Sequence, residues 1–169
     1  MDQKAPEIIF TLLIGIGIIA VLAVLKFSNA QFRREFRSSA MLLASLVAVG
    51  ATLGSLYFSE IREFLPCEWC WYQRIAMYPL AVLLPIATFR RDRRIIPYAL
   101  VLSLAGAGLS IYHYQLQAFP SQGSSCSLNA SCTYRWIEVF GFVSIPMLAL
   151  GSFVLISILL LSTPRPWKG

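Results

Sequence analysis

Two pairs of cysteines are the residues of this chain best suited to chemistry. Cys67 and Cys70 form a C-x-x-C motif, and Cys126 and Cys132 lie six positions apart further along the chain. Pro66 directly precedes the motif, which predicts that a helix starts there. A helix N-terminus favours a thiolate over a thiol, so a C-x-x-C pair at this position is typical of thiol–disulfide exchange. The sequence therefore predicts a redox-active dithiol in the first turn of a helix.

A cation is spaced to act together with this dithiol. Arg74 follows Cys70 by four residues and Cys67 by seven, which puts all three on one face of a helix. A guanidinium there would stabilise a thiolate or an anionic partner, and a charged residue in an apolar helix indicates a functional site. The single histidine, His113, is predicted near the same level. A histidine between two tyrosines is also typical of an interfacial residue, and both interpretations stay open.

The second cysteine pair lies in a polar segment without hydrophobic periodicity, residues 121–132, which is rich in Ser, Gly and Asn. This composition predicts an exposed, mobile loop. A disulfide between Cys126 and Cys132 would close a small ring that is accessible from solvent. Such short, exposed disulfides are typically exchangeable rather than structural.

Two other interpretations of the cysteines remain open. The first is a pair of loop disulfides in a passive membrane protein, because even numbers of extracytoplasmic cysteines usually form disulfides. The second is a four-cysteine zinc site, which the C-x-x-C half suits and the wider second pair allows. Oxidation outside the cytoplasm competes with metal binding, and a C-x-x-C pair at a helix start is better suited to redox exchange than to a structural disulfide. Redox chemistry is therefore the favoured interpretation.

The elements that position these cysteines are predicted to be transmembrane helices. Of the 169 residues, 57% are apolar and 13% are charged, whereas soluble domains carry about 25% charged residues. Uncharged runs long enough to span a bilayer cover residues 8–25, 40–58, 95–112 and 139–162. A fifth run, 75–89, is shorter and reaches spanning length only if it begins at the C-x-x-C motif. Pro79 and Pro85 are tolerable in such a helix because neighbouring helices satisfy the freed backbone groups.

The net charge of +6 is concentrated in three places. The basic residues of the first connection, the third connection and the C-terminal tail are Lys26, Arg33, Arg34 and Arg37; Arg90, Arg91, Arg93 and Arg94; and Arg165 and Lys168. By the positive-inside rule these three regions are cytoplasmic, which leaves the N-terminus and all four cysteines outside. The pattern does not indicate a nucleic-acid surface, so no nucleic-acid partner is expected. Membrane lipid is expected beside the basic connections.

The first apolar run is predicted to be a retained helix rather than a cleaved signal peptide. It is longer than a usual signal core, and Asp2 and Glu7 stand before it against only Lys4. The predicted organisation is an N-terminal helix with a basic cytoplasmic connection (1–39), a helix bundle (40–162) and a cytoplasmic tail (163–169).

Four stretches of the chain resemble the DsbB family of thiol–quinone oxidoreductases, and most closely its BdbC branch. They are GSLYFSE (54–60), PCEWCWYQRIAMYP (66–79), SIYHYQ (110–115) and FGFVSIPMLA (140–149). The resemblance runs from about residue 40 to about residue 160. It implies an all-α integral membrane protein with a four-helix transmembrane bundle, to which residues 8–25 add one N-terminal transmembrane helix.

The resemblance implies a quinone site beside the C-x-x-C motif, with ubiquinone or menaquinone as the cofactor. Cys70 would lie nearest the quinone ring and Arg74 beside a quinone oxygen, while His113 matches a histidine near the quinone site of the family. Trp69, Trp71 and Tyr72 are predicted to form an interfacial aromatic belt. A further interpretation is that these three also wall the quinone pocket.

The resemblance also implies a partner and a location. Cys126 would form a mixed disulfide with a thioredoxin-like dithiol oxidase of the DsbA or BdbD type, and Cys132 would pair transiently with Cys67. Two thiol–disulfide exchanges and a two-electron quinone reduction would support disulfide bond formation. The expected location is the bacterial cytoplasmic membrane, with the cysteines on its extracytoplasmic side.

Two other classes of protein remain as alternatives. Vitamin K epoxide reductase homologues also couple C-x-x-C to a quinone, but there the loop pair precedes the motif, whereas here it follows. The other alternative is a non-catalytic membrane scaffold whose loops are cross-linked by disulfides. If this alternative holds, Arg74 is replaceable and no quinone copurifies.

Overall fold

A computed structural model describes residues 5–122 and 131–163, and five long helices dominate these segments. They are α1 (Ala5–Phe27), α2 (Ala30–Leu56), α3 (Glu68–Arg90), α4 (Ile96–Ala118) and α5 (Ile145–Ser162). A π-helical turn (Tyr57–Ile61) extends α2, and 3-10 turns precede and follow α4 (Arg93–Ile95 and Pro120–Gln122). In the described segments the only β pairing is one isolated bridge. The predicted all-α fold is confirmed.

The last four helices form a closed ring. Helix α2 packs against α3 and α5, and α4 packs against the same two helices from the other side. Helix α1 lies outside this ring, mainly on α5 and with a smaller contact on α2. The predicted four-helix bundle with one additional N-terminal helix is therefore confirmed.

Small side chains allow the helices of the ring to approach closely. Ala40, Ala44 and Ala48 are fully buried along one face of α2, in the small-residue pattern that drives helix association in membranes. Helices α4 and α5 are joined by a hydrogen bond, in which Ser103 Oγ donates to the carbonyl oxygen of Phe153 at 2.8 Å. The packing of the ring therefore depends on the close approach of helix backbones and on buried hydroxyl groups that form hydrogen bonds.

The described helices have the dimensions of a membrane bundle. Four of them, α1, α2, α4 and α5, are long and apolar enough to cross a bilayer. Helix α3 has 23 residues, or about 34 Å at 1.5 Å per residue, against a hydrocarbon core of about 30 Å. Its first turns are polar, which is why the sequence gives a short apolar run there. The chain is a membrane protein.

The last span starts later than predicted. Helix α5 begins at Ile145 rather than at residue 139. Val139 and Val143 instead pair across a tight turn, in which Gly141 adopts a positive φ of 80°. Pro146 then stands in the first turn of α5, where a missing N–H costs nothing. The apolar run therefore includes a turn that composition does not distinguish from a helix.

The first connection is also shorter than predicted. Asn29 caps α2, its Oδ1 accepting a hydrogen bond from the backbone N–H of Phe32 at 2.9 Å, and asparagine is among the strongest N-cap residues. Arg33, Arg34 and Arg37 consequently lie on the first turns of α2. The prediction that they lie in a connection is wrong.

The ring has two chemically different ends. The arginine end comprises the start of α2 and the end of α3. Thr88, near the end of α3, hydrogen-bonds to Ser45 in the middle of α2 at 2.9 Å, so the first turns of α2 lie at that end of the bundle. The cysteine end comprises the end of α2, the start of α3 and the end of α4. Helix α1 begins at the cysteine end, because Glu7 Oε1 lies 3.6 Å from Arg62 Nη2.

Candidate functional site

The C-x-x-C motif is built into the start of α3. Cys67 is the N-cap residue with extended backbone, and Cys70 lies in the first turn. Their sulfur atoms are 3.1 Å apart, and both cysteines are free thiols. A disulfide needs about 2.05 Å between the sulfurs, so a shift of about 1 Å would close the pair. The local fold therefore holds the two thiols ready for oxidation to a disulfide.

Cys67 has the environment of a reactive thiolate. The hydrogen bond from the Cys70 thiol lowers the pKa of Cys67 from 9.0 to about 4, with help from the hydrogen bond and charge of His113 and against the effect of burial. His113 Nε2 lies 3.4 Å from Cys67 Sγ. The N-terminus of α3 acts in the same direction. These contacts and the helix N-terminus therefore favour the thiolate of Cys67, which is the nucleophilic form.

Cys132 lies against this motif. It is disulfide-bonded, and it forms a buried cluster with Cys67 and Leu116. Only 1% of its surface is exposed, so the prediction of a solvent-accessible position is wrong for Cys132. Leu116, near the end of α4, provides the apolar surface on which it packs.

A second contact holds the segment after Cys132 on the bundle. Gln117 Nε2 donates to the carbonyl oxygen of Tyr134 at 3.2 Å. Arg135 Nη2 in turn donates to the carbonyl oxygen of Gln117 at 3.4 Å. Cys126, the other predicted loop cysteine, lies outside the described residues, as does most of the predicted mobile loop (123–130).

A large cleft opens on the other side of the C-x-x-C motif. It encloses a cavity of about 110 Å³ and is partly open to the surroundings. Its walls come from α1, α2, α3, α5 and the loop before α3. Aromatic side chains make up much of the lining, namely Phe10, Phe58, Phe64, Tyr78, Trp136 and Phe153. Cys70 and Arg74 are the thiol and the cation that the cleft contains.

Arg74 is held rigidly at the wall of this cleft. Its Nε donates to Ser55 Oγ at 3.0 Å, and its Nη2 donates to the backbone carbonyl of Ser55 at 3.2 Å. The guanidinium also lies 5.1 Å from the centre of the Trp71 ring, a distance typical of a cation–π interaction. The sequence pattern did not indicate Ser55 as a partner of Arg74.

Four of the aromatic residues form a continuous series of ring contacts. Phe64 stacks on Phe58 with 5.9 Å between ring centres and on Trp136 with 5.1 Å. Phe10 of α1 packs against Phe58 at 5.9 Å. The series joins α1, the π-helical turn and the connections before α3 and α5 over the cleft. No periodicity in the sequence could indicate it, because its members lie on four separate segments.

The aromatic residues that flank the C-x-x-C motif have a different role. Trp69 packs on Tyr112 with 4.6 Å between ring centres, while Trp71 and Tyr72 are exposed at the surface. None of the three lines the cleft. Their position suits the predicted interfacial belt, and they do not form the walls of this cleft.

The predicted site residues fall into two adjoining groups. Cys67, Cys70 and His113 offer ligand atoms within 4.8 Å of one another, and they line a small cavity behind the motif. Cys70 and Arg74 line the large cleft, which His113 does not reach. Cys70 alone among the described cysteines borders both cavities, so it connects the two groups.

The first group also has the chemistry of a partial metal site. Two thiols and an imidazole could supply three ligands to an ion such as Zn²⁺. In the described state the sulfur of Cys132 is in a disulfide, so it is not available as a thiolate ligand for the four-cysteine alternative.

Comparison with known proteins identifies one family and a set of close relatives. The family described as "Disulfide bond formation protein DsbB" matches residues 37–163. Disulfide bond formation protein C of Bacillus subtilis (strain 168) is 52% identical over 115 residues, covering 67% of this chain and 83% of the relative. A probable disulfide formation protein of Deinococcus radiodurans is 44% identical over 140 residues, covering 76% of this chain and 90% of the relative. No solved structure matches the chain.

Proposed function

The chain belongs to the DsbB family of disulfide bond formation proteins, and from this premise we propose that it is a membrane thiol–quinone oxidoreductase. In this role it reoxidises a thioredoxin-like dithiol oxidase of the DsbA or BdbD type. It passes the two electrons to a membrane quinone, either ubiquinone or menaquinone. Family membership itself establishes a redox role in disulfide bond formation. The observation that best supports the proposed transfer of electrons to a quinone is that Cys70 borders both the thiol cluster and the apolar cleft.

The residues of the cleft fit a quinone. Its aromatic and aliphatic walls suit a flat ring with a prenyl tail, and the fixed Arg74 guanidinium is a donor suited to a quinone carbonyl oxygen. Cys70 and Arg74 would hold the head group between them. A bound quinone would supply an acceptor for two electrons and two protons. His113 lies on the other side of the motif, so its proposed part is at Cys67 rather than at the quinone.

The protein's own steps are two thiol–disulfide exchanges. First, the partner's dithiol would reduce the Cys126–Cys132 disulfide, leaving the partner oxidised and two thiols in the loop. Next, the loop dithiol would reduce a Cys67–Cys70 disulfide, which restores the loop disulfide. The burial of Cys132 beside Cys67 supports this second exchange. The described state, with Cys132 in a disulfide and free thiols at Cys67 and Cys70, is its product.

Re-forming the Cys67–Cys70 disulfide completes the cycle. The two thiols together release two electrons and two protons, and the 3.1 Å sulfur contact places them for the bond. His113 Nε2 is near enough to Cys67 Sγ to take or return a proton there. Cys70, which borders the cleft, is the sulfur through which the electrons would leave.

The proposed location is the bacterial cytoplasmic membrane, with the cysteine end outside and both the arginine end and the C-terminus in the cytoplasm. The support is the positive-inside rule, since the arginines at the start of α2 and the end of α3 gather at one end of the bundle. An outward cysteine end would also face the compartment in which disulfides persist.

The test is an anaerobic assay with purified protein, a reduced thioredoxin-like partner and a soluble quinone. We expect quinone absorbance to fall as partner disulfide forms, in equal amounts, and to stop falling in Cys70→Ser. A protein that reduces no quinone with any dithiol donor would contradict the proposal. Metal analysis of the same sample would then decide between a zinc site at Cys67, Cys70 and His113 and a passive scaffold.

A further inference from the structure

Helix α1 contributes side chains to the large cleft, although it lies outside the four-helix ring. Phe10 and Ile14, one turn apart on α1, both line the cleft. The family match begins only at residue 37, so these two residues come from a segment that the match does not include. The cleft is therefore completed by an element that the bundle itself does not supply.

The bundle is shaped to receive these two side chains. A methyl group on Gly54 of α2 would lie 3.3 Å from the Phe10 ring, and one on Gly151 of α5 would lie 2.6 Å from Ile14 Cγ2. Helices α2 and α5 thus each carry a glycine where one of these two side chains approaches. At Gly151 the side chain of Ile14 would have to move to admit a methyl group, and at Gly54 the Phe10 ring would have to shift by a few tenths of an ångström.

Polar contacts fix the beginning of α1 at the cysteine end. Glu7 is buried, and its Oε1 lies 3.6 Å from Arg62 Nη2 in the connection before α3. Thr11 Oγ1 donates to the backbone carbonyl of Glu7 at 2.8 Å. An ion pair at a buried site is costly to break because one charge would be left without a partner. It therefore holds Phe10 at a defined depth beside the cleft.

The opposite face of α1 is suited to lipid. Ile9, Leu13 and Ile16 are 55%, 63% and 61% exposed, as expected for side chains that face hydrocarbon. Helix α1 therefore has lipid on one side and the cleft on the other. Without it, the side of the cleft between α2 and α5 would open directly to the bilayer, where prenylquinones dissolve.

We propose that α1 is the lipid-facing wall of the quinone site, and that Phe10 and Ile14 determine its preference for the prenyl tail. This inference rests on the proposed function. Arg74 and Cys70 provide the polar contacts for a head group, whereas Phe10 and Ile14 offer only apolar surface. Their contribution should accordingly depend on the tail rather than on the ring.

The experiment compares two quinones with the same head group, one with a prenyl tail and one with a methyl in its place. The measured quantity is the ratio of their kcat/KM values. In Phe10→Ala/Ile14→Ala the ratio should fall roughly tenfold, because the variant no longer offers the tail the apolar surface of two large side chains. In the control Ile9→Ala/Leu13→Ala, which removes similar side chains from the lipid face of the same turns, the ratio should stay unchanged.

Each outcome has a distinct meaning. An unchanged ratio in the Phe10 and Ile14 variant, or an equal fall in the control, would overturn the inference while the wild-type turnover of the tail-free quinone still supports the proposed function. If wild-type protein reduces neither quinone, the proposed function itself fails. If the variant does not fold, wild-type protein is labelled with a photoreactive prenylquinone. Label on the peptide that holds Phe10 and Ile14 supports the inference, and label confined to the other helices overturns it.

Discussion

The orientations of the Arg74 and Cys67 side chains both depend on neighbouring residues that the spacing of the sequence does not reveal. Helical periodicity places Cys67, Cys70 and Arg74 on one face, but the structure divides them between two cavities. Cys67 turns toward His113 because, as the N-cap, it has extended rather than helical backbone. Arg74 turns toward Ser55 on α2. The chemistry of each residue therefore depends on a partner from another helix.

Removing the Arg74 guanidinium should weaken quinone use selectively. A hydrogen bond to a charged group is worth about 1.5–3 kcal/mol, so Arg74→Ala should raise the quinone KM roughly ten- to a hundredfold. The single-turnover exchange between the partner and the loop disulfide should keep its rate, because it does not involve the cleft. Steady-state kinetics at varied quinone concentration, paired with stopped-flow exchange, measure both quantities.

The control for this prediction is Arg90→Ala, which removes an exposed arginine from the other end of the same helix. Its KM should match that of the wild-type protein. A normal KM in Arg74→Ala would remove the residue from the quinone site.

The reactivity of Cys67 should depend on whether residue 70 can donate a hydrogen bond. The pKa of Cys67 is lowered from 9.0 to about 4, chiefly by the Cys70 thiol. Cys70→Ser keeps a donor, so Cys67 should still alkylate as a thiolate in mildly acidic buffer. Cys70→Ala removes the donor, and the midpoint of the alkylation rate should move up in pH. Rates of iodoacetamide labelling across pH, with Cys126 and Cys132 replaced by serine, give the two midpoints.

The same shift has a consequence for stability. A lowered pKa means that the native state holds its thiolate more favourably than the unfolded chain. The contribution of Cys67 alone to the stability of the reduced protein therefore grows as the pH rises from about 4 toward 9 and is lost as the pH falls toward about 4. In the labelling experiment, equal alkylation midpoints for Cys70→Ser and Cys70→Ala would show that the Cys70 hydrogen bond does not cause the lowered pKa of Cys67.

At the scale of the elements, the sequence predicts spans well and their ends poorly. The number of helices and the special character of α3 follow from composition and from the C-x-x-C motif. The start of α5 does not, because the turn around Gly141 is as apolar as the helix that follows it. The cleft does not follow from composition either, because its aromatic walls come from segments that are distant in the chain. Hydrophobicity determines which residues leave water, but not which helix each of them meets.

Glycine positions on α4 allow a test of how tightly the elements pack. A methyl group on Gly106 would overlap the ring of Phe153 on α5, whereas one on Gly108 would meet no atom within 4 Å. Gly106→Ala should therefore destabilise the fold by roughly 1–3 kcal/mol, the usual cost of overpacking a core. Gly108→Ala is the matched control on the same helix and should be neutral or slightly stabilising. Thermal unfolding in detergent micelles compares the two, and equal Tm values would contradict the described contact between α4 and α5.

At the scale of the whole molecule, charge and redox chemistry occupy opposite ends. The arginines on α2 and α3 lie at one end, and Cys67, Cys70, His113 and Cys132 lie at the other. The cleft proposed to bind quinone lies at the cysteine end and reaches α1, whose other face is exposed and apolar. Under the proposed function, this arrangement would separate a water-facing site for a protein dithiol from a bilayer-facing site for a quinone. The C-x-x-C motif lies between them, so electrons would pass from a soluble donor to a membrane acceptor without either one crossing the bundle.

The proposed orientation follows from this polarity and can be tested by labelling. In a variant with all four cysteines replaced by serine, Ser121→Cys marks the cysteine end and Gln31→Cys marks the arginine end, both at exposed positions. A membrane-impermeant maleimide should label the residue 121 reporter in intact cells, and the residue 31 reporter only after the membrane is permeabilised. The reason is that the basic residues at the start of α2 resist transfer across the membrane. The opposite labelling pattern would put the redox cysteines in the reducing cytoplasm, where a net disulfide-forming direction of electron flow would be hard to sustain.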